Sequence, residues 1–163
     1  MMRLCDHLAA RDVKATNLAL LEAGNYEGRS GSAPLHSTQD IRKAISAVRT
    51  ADLDQAIRSI LPFEALEPDM RKAWSHWMAL IGGRHFFPDA NHRTAALTFS
   101  LAMSRALGLA CFLAPERIPV MVAESKAWRR TAPRPTVAEL QGEGHAYRGI
   151  FVRYSVGLRF IPL

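Results

Sequence analysis

His85-Phe86-Phe87-Pro88-Asp89-Ala90-Asn91-His92-Arg93 brings an imidazole, a carboxylate, an amide and a guanidinium into nine consecutive residues. Those groups suit transfer of a phosphorus-centred group. An imidazole that titrates near neutrality can take the proton of a hydroxyl as its oxygen attacks phosphorus. One carboxylate together with substrate phosphates and water is a usual Mg²⁺ environment. A guanidinium in the first turn of a helix, beside backbone N–H groups and the positive end of the helix dipole, makes an anion cradle. On chemistry alone His85 is the candidate general base and Asp89 the candidate Mg²⁺ ligand. Ala90, Asn91, His92 and Arg93 form the candidate phosphate-binding turn. Phe87 has no reactive group and is expected to pack under the loop and set its shape.

Plainer roles stand beside these. His85 could be a loop histidine bonded to backbone, Asp89 a capping carboxylate, and His92 a solvent-facing residue of the first helical turn. His76, His85, His92 and Asp89 match no common zinc-ligand spacing. Thr94 and Thr98 are expected to bond back to the preceding helical turn.

Two helices have to hold this loop. Residues 73–80 read as helix closed by Gly82-Gly83, and residues 93–107 as a helix that ends at Gly108. Asn91 is placed to be the N-cap of the second. Met70, Ala73, Trp74, Trp77, Met78 and Ile81 form an apolar stripe that reads as core, and Pro68 is expected at that helix's start.

Further out, residues 3–23 read as one helix closed by Gly24-Asn25. Ser37 with Asp40 opens the next, and helical spacing runs on through Leu53, Ile57, Ile60 and Leu61 to Pro62. Residues 116–128 read as helix, Pro133-Arg134-Pro135 breaks it, and Thr136 caps a short helix through Leu140. Residues 110–113 are an apolar run of either type, and residues 147–161 fit a strand pair as well as helix. Residues 25–36 form a Gly/Ser-rich loop, long for a connection within a bundle.

The 163 residues, 48% hydrophobic and 22% charged, predict one soluble domain spanning 1–163. No apolar run approaches the roughly 20 residues that cross a bilayer, which predicts no membrane partner. Charges within residues 1–11 predict no signal peptide, so the expected location is cytoplasmic, with Cys5 and Cys111 as free buried thiols. The net charge is +6, and residues 116–163 hold eight basic side chains against four acidic ones. No nucleic-acid motif accompanies that charge, which therefore reads as solvated surface rather than a nucleic-acid site.

At the nine-residue stretch the chain resembles the Fic/Doc (Fido domain) family, whose motif runs His-x-Phe-x-(Asp/Glu)-(Gly/Ala)-Asn-(Gly/Lys)-Arg. His85, Phe87, Asp89, Ala90, Asn91 and Arg93 match it. The resemblance spans residues 80–109, extends more loosely over 23–113 and is not visible after Pro115. It implies an all-α Fic/Doc-type helical bundle with the active-site loop between two central helices. It also implies a short β-hairpin flap at the Gly/Ser-rich loop, where Gly28, Arg29, Ser30 and Gly31 would dock the target segment. The implied cofactors are ATP or another nucleoside triphosphate and Mg²⁺, and the implied acceptor is a Ser, Thr or Tyr hydroxyl of a protein substrate.

The departures matter. Members that transfer AMP commonly have Gly-Asn-Gly and a second Arg three residues past the first; here Ala90, His92 and Ala96 stand at those places. The pattern looks closer to the Doc-like branch, which transfers phosphate and has lysine at the position of His92. A Fic-like protein that binds nucleotide or a partner and transfers nothing is the alternative. Self-restraining members carry (Ser/Thr)-x-x-x-Glu-(Gly/Asn). Glu27-Gly28 and Glu143-Gly144 are preceded at the required position by Ala23 and Glu139, so the resemblance implies restraint by a separate antitoxin-type inhibitor protein.

Overall fold

A helix of 22 residues carrying two tryptophan side chains of the core, Trp74 and Trp77, forms the axis on which the other elements pack. The computed structural model describes residues 3–23, 37–50 and 63–163. Within them the order is a 3-10 turn (Leu4–Asp6), α1 (Ala10–Ala23), α2 (Thr38–Ala47), the axial helix α3 (Phe63–Arg84) and α4 (Asn91–Leu107). Strand β1 (Leu109–Leu113), a 3-10 turn (Pro115–Arg117), α5 (Ile118–Thr131), α6 (Val137–Leu140), α7 (Ala146–Ser155) and β2 (Leu158–Pro162) follow. The described chain is mostly helical, as expected, and the strands form one antiparallel pair, with Cys111 opposite Phe160 and Leu113 opposite Leu158. The expected flap at residues 25–36 and the helical spacing through residues 53–61 lie outside the described residues. Among the described residues no helix is long and apolar enough to cross a membrane.

The apolar stripe of α3 is buried throughout: Met70, Trp77, Met78 and Ile81 are fully enclosed. Helix α3 packs most extensively on α7, which contributes Tyr147, Ile150 and Phe151 to the core, and then on α4. Ser37 caps α2 as expected: its Oγ accepts from Asp40 N at 3.2 Å while Asp40 accepts from Ser37 N at 3.1 Å. Thr136 does the same for α6, accepting from Glu139 N at 3.1 Å. Gly108 ends α4 in the left-handed region at φ 64°.

Several expectations are corrected. Residues 3–23 are not one helix: α1 begins only at Ala10, where Asp12 accepts from Ala9 N at 2.8 Å. Arg105 of α4 donates to the His7 carbonyl at 3.0 Å and to Asp12 at 2.9 Å, so a tertiary contact uses the carbonyl a continuous helix would need. Pro68 lies inside α3, because the helix already starts at Phe63. A mid-helix proline forfeits about 3 kcal/mol. Packing outweighs that loss, with Leu66 buried and the Phe63 ring 5.0 Å from Phe160.

Gly82-Gly83 do not stop α3, which runs through them to Arg84. Their role is close approach. A Cβ on Gly82 would stand 2.6 Å from Tyr147 Oη, and one on Gly83 would stand 3.0 Å from Pro135 Cγ and Tyr147 Cε1. Residues 110–113 lie within strand β1, while residues 147–161 are both helix and strand, α7 followed by β2. Cys111 is buried, and burial pushes its thiol up to about 12, but Cys5 is exposed rather than buried.

Candidate active site

The chain leaves α3 through His85 itself. Its backbone N donates to the Ile81 carbonyl at 3.0 Å, a last helical bond, and its φ of 52° turns the chain out of the helix. Histidine is among the residues that tolerate this region. The left-handed exit residue that glycines usually supply is thus the candidate base. Phe86 and Phe87 then drop into the core, both fully buried, and fix the loop from below.

Asn91 is not the N-cap of α4. Ala90 takes that position at φ 60°, ψ 21°, with no side-chain cap, and Asn91 is the first helical residue. The Asn91 amide is occupied across the loop: Oδ1 accepts from Phe87 N at 3.0 Å and Nδ2 donates to the Phe87 carbonyl at 2.7 Å. That pairing fixes which end of the amide is oxygen. Its remaining N–H points to His85 Nδ1 at 3.2 Å, so the neutral His85 ring accepts at Nδ1 and carries its proton on Nε2. From α1, buried Asn17 donates to the Asp89 carbonyl at 2.9 Å and to Thr94 Oγ1 at 3.1 Å. Asp89 is half-buried, its Oδ1 accepting from Ala90 N at 2.7 Å. Thr98 bonds back to the Thr94 carbonyl at 2.6 Å, as expected, and also accepts from Trp77 Nε1 at 3.0 Å.

His92 does not face solvent. Its ring is buried, Nε2 lies 2.8 Å from Ser125 Oγ, and Ser125 Oγ lies 2.8 Å from Tyr147 Oη. This chain ties α4, α5 and α7 together. Burial, with Arg129, Lys126 and His85 nearby, pushes the His92 imidazole down to about 4, so it is neutral at physiological pH. It offers the loop no lysine-like charge, and its backbone N–H is the part of the residue available to an anion. Burial likewise pushes the Tyr147 phenol up to about 12.

Above the loop lies a cleft of about 990 Å³, within the size range of small-molecule sites. One wall carries His85, Asp89, Asn91 and Arg93; the other is α5, which presents Lys126, Arg129 and Arg130. The loop and the first turn of α4 thus bring the motif residues other than the buried Phe87 to one opening, with Arg93 exposed there. The three α5 cations belong to the basic segment that reads from sequence as plain surface. Their signal was their spacing: Val122, Lys126 and Arg129 or Arg130 fall on one helical face. A smaller cavity of about 410 Å³ has Asp69, Lys72, His76, Glu143 and Arg148 in its lining. Charges of both signs meet there, Lys72 lying 3.9 Å from Glu143, and it has none of the motif residues.

Comparison of the chain with protein-family models, with curated proteins and with solved structures gave no match.

Proposed function

We propose that the protein is a Fic/Doc-type transferase that moves phosphate, or AMP, from a nucleoside triphosphate to a Ser, Thr or Tyr hydroxyl of a target protein. The observation that carries this reading is the convergence of His85, Asp89, Asn91 and Arg93 on one cleft at the start of α4. An N-terminus with no side-chain cap suits an anion, and Arg93, unfavourable beside the dipole alone, becomes favourable once phosphate is bound.

In the reaction the target oxygen attacks phosphorus, its proton passes to His85, and the bond to the leaving group breaks with its electron pair. Attack at the γ-phosphorus releases the nucleoside diphosphate; attack at the α-phosphorus releases pyrophosphate. The basic lone pair of His85 is on Nδ1, so the entering hydroxyl replaces Asn91 as its donor. The contact it displaces is a single hydrogen bond of 3.2 Å, at the long end of the ordinary range. Asp89 fits Mg²⁺ as a hard oxygen donor at the cleft, its carboxylate oriented by the Ala90 N–H. When bound, the ion supplies neutralisation of phosphate charge. Target docking by residues 28–31 and restraint by an antitoxin-type protein complete the proposal.

ATP labelled at the γ- or the α-phosphate, incubated with the protein and a lysate, tests it. Label on protein from the γ position identifies phosphate transfer, and label from the α position identifies AMP transfer. No label from either overturns the transferase reading in favour of a protein that only binds.

A further inference from the structure

Helix α5 has one acidic residue, Glu124, and it is turned to the Arg153 guanidinium and to Tyr154 Oη, from which it accepts at 2.9 Å. Neither Arg153 nor Tyr154 lines the cleft. The helix therefore gives its cations to the cleft and spends its carboxylate elsewhere. Counting Arg93, the cleft lining holds four Lys and Arg side chains against the single carboxylate of Asp89. Among the described residues, Lys126, Arg129 and Arg130 have no carboxylate within 4.0 Å.

Arg129 adds an independent observation. Its Nε is buried and has no hydrogen-bond partner, although the residue borders an open cleft. A cationic N–H removed from water without an acceptor is costly, and an anion in the cleft removes that cost. The surroundings point the same way, since burial disfavours the charge on Arg129 and both Arg129 and Lys126 help hold His92 neutral. At the other wall, α4 contributes one exposed cation, Arg93, near its start.

We infer that Lys126, Arg129 and Arg130 hold the phosphates of a polyphosphate ligand that lie away from His85, while the phosphate next to His85 lies on the first turn of α4. The cleft then selects its ligand by phosphate number. This deepens the nucleotide-site reading above and rests on it. Attraction to the guanidinium and ammonium groups of α5 grows with each added phosphate charge, and bidentate guanidinium contacts add directional bonds. A monophosphate would reach only one wall.

The test is calorimetric titration of the full chain with AMP, ADP, ATP and inorganic tripolyphosphate at constant ionic strength with Mg²⁺. Affinity is expected to rise with each phosphate. Arg129→Ala should weaken ATP about tenfold and Lys126→Ala about threefold, with AMP changed much less. Arg129→Lys should recover part of the loss, and Arg159→Ala, away from the cleft, should change nothing. Unmoved ratios of ATP to AMP affinity in both alanine variants would overturn this inference and leave the nucleotide site standing. A parent protein that binds neither ATP nor tripolyphosphate would overturn both. Should Arg129→Ala not fold, Lys126→Ala decides, because that side chain is exposed.

Discussion

His85 is at once the residue that turns the chain out of α3 and the proposed base, so its backbone geometry and its chemistry are tied to one position. Its acceptor nitrogen rests on Asn91, which is itself locked to Phe87. A base acts in the transition state, so His85→Ala should abolish transfer and leave ATP affinity within about threefold of the parent. Normal turnover in that variant would remove the assignment. The two buried imidazoles make a second prediction. Burial pushes both His92 and His76 from the usual 6.5 down to about 4, with Arg129, Lys126 and His85 near the first and Arg148 near the second. Unfolding releases each ring to its ordinary value, so the unfolded chain binds more protons below pH 6.5. Their contribution is complete above pH 6.5 and is lost as pH falls toward 4, each ring costing about 1.4 kcal/mol for every pH unit within that window. Thermal midpoints should drop over the same range, and His92→Asn should reduce the slope by about one proton's worth. An unchanged slope would mean that His92 is not held neutral by the fold.

Two positions in the loop–helix elements carry opposite steric signs. Ala90 holds φ 60° at the entrance to α4, a conformation that costs a non-glycine residue about 1 kcal/mol. Ala90→Gly should therefore stabilise the protein by about that amount in urea denaturation. Gly82 is the converse. By helix propensity alone Gly82→Ala would gain about 1 kcal/mol. The added Cβ would lie 2.6 Å from Tyr147 Oη, which Ser125 holds in place. The expected net effect is a loss of about 1–3 kcal/mol. Tyr147→Phe in the same chain should recover part of it, because the clashing atom is then gone. A double-mutant cycle measures that coupling, and additive effects would show that the clash is not the cause.

At the scale of the molecule, the cleft joins a wall built by the loop after α3 and the start of α4 to a wall built by α5. A ligand that bridges the walls binds the folded state alone and stabilises it. MgATP at about a hundred times its dissociation constant should add about 2.7 kcal/mol, read as a raised thermal midpoint. Part of that rise should disappear at high salt, since the exposed cations are screened within about 10 Å at 0.1 M. A rise that is independent of salt would point to a ligand held by uncharged contacts. Tyr147, Ile150 and Phe151 of α7 are buried in the core against which this cleft is built. Truncation before α7 is thus expected to unfold the chain rather than to free a smaller folded core.

By itself the sequence determined what depends on local order. The apolar stripe of α3 follows from helical periodicity, the caps at Ser37 and Thr136 from a hydroxyl with an acid three residues on, and the end of α4 from Gly108. The nine-residue constellation is likewise visible, because its members are neighbours in the chain. What only the tertiary structure decided are the matters settled between distant residues. Gly82-Gly83 read as a stop until Tyr147 is seen packed against them. Asn91 reads as a cap until its amide is seen bound to Phe87. His92 reads as a phosphate contact or a solvent-facing residue until Ser125, from another helix, is found beside its ring. Lys126, Arg129 and Arg130 read as surface until α5 is laid over the loop. Helix period and capping are written in three or four consecutive residues. The steric limit on a glycine, the partner of an amide and the charge balance of a cleft depend on groups that folding brings from elsewhere in the chain.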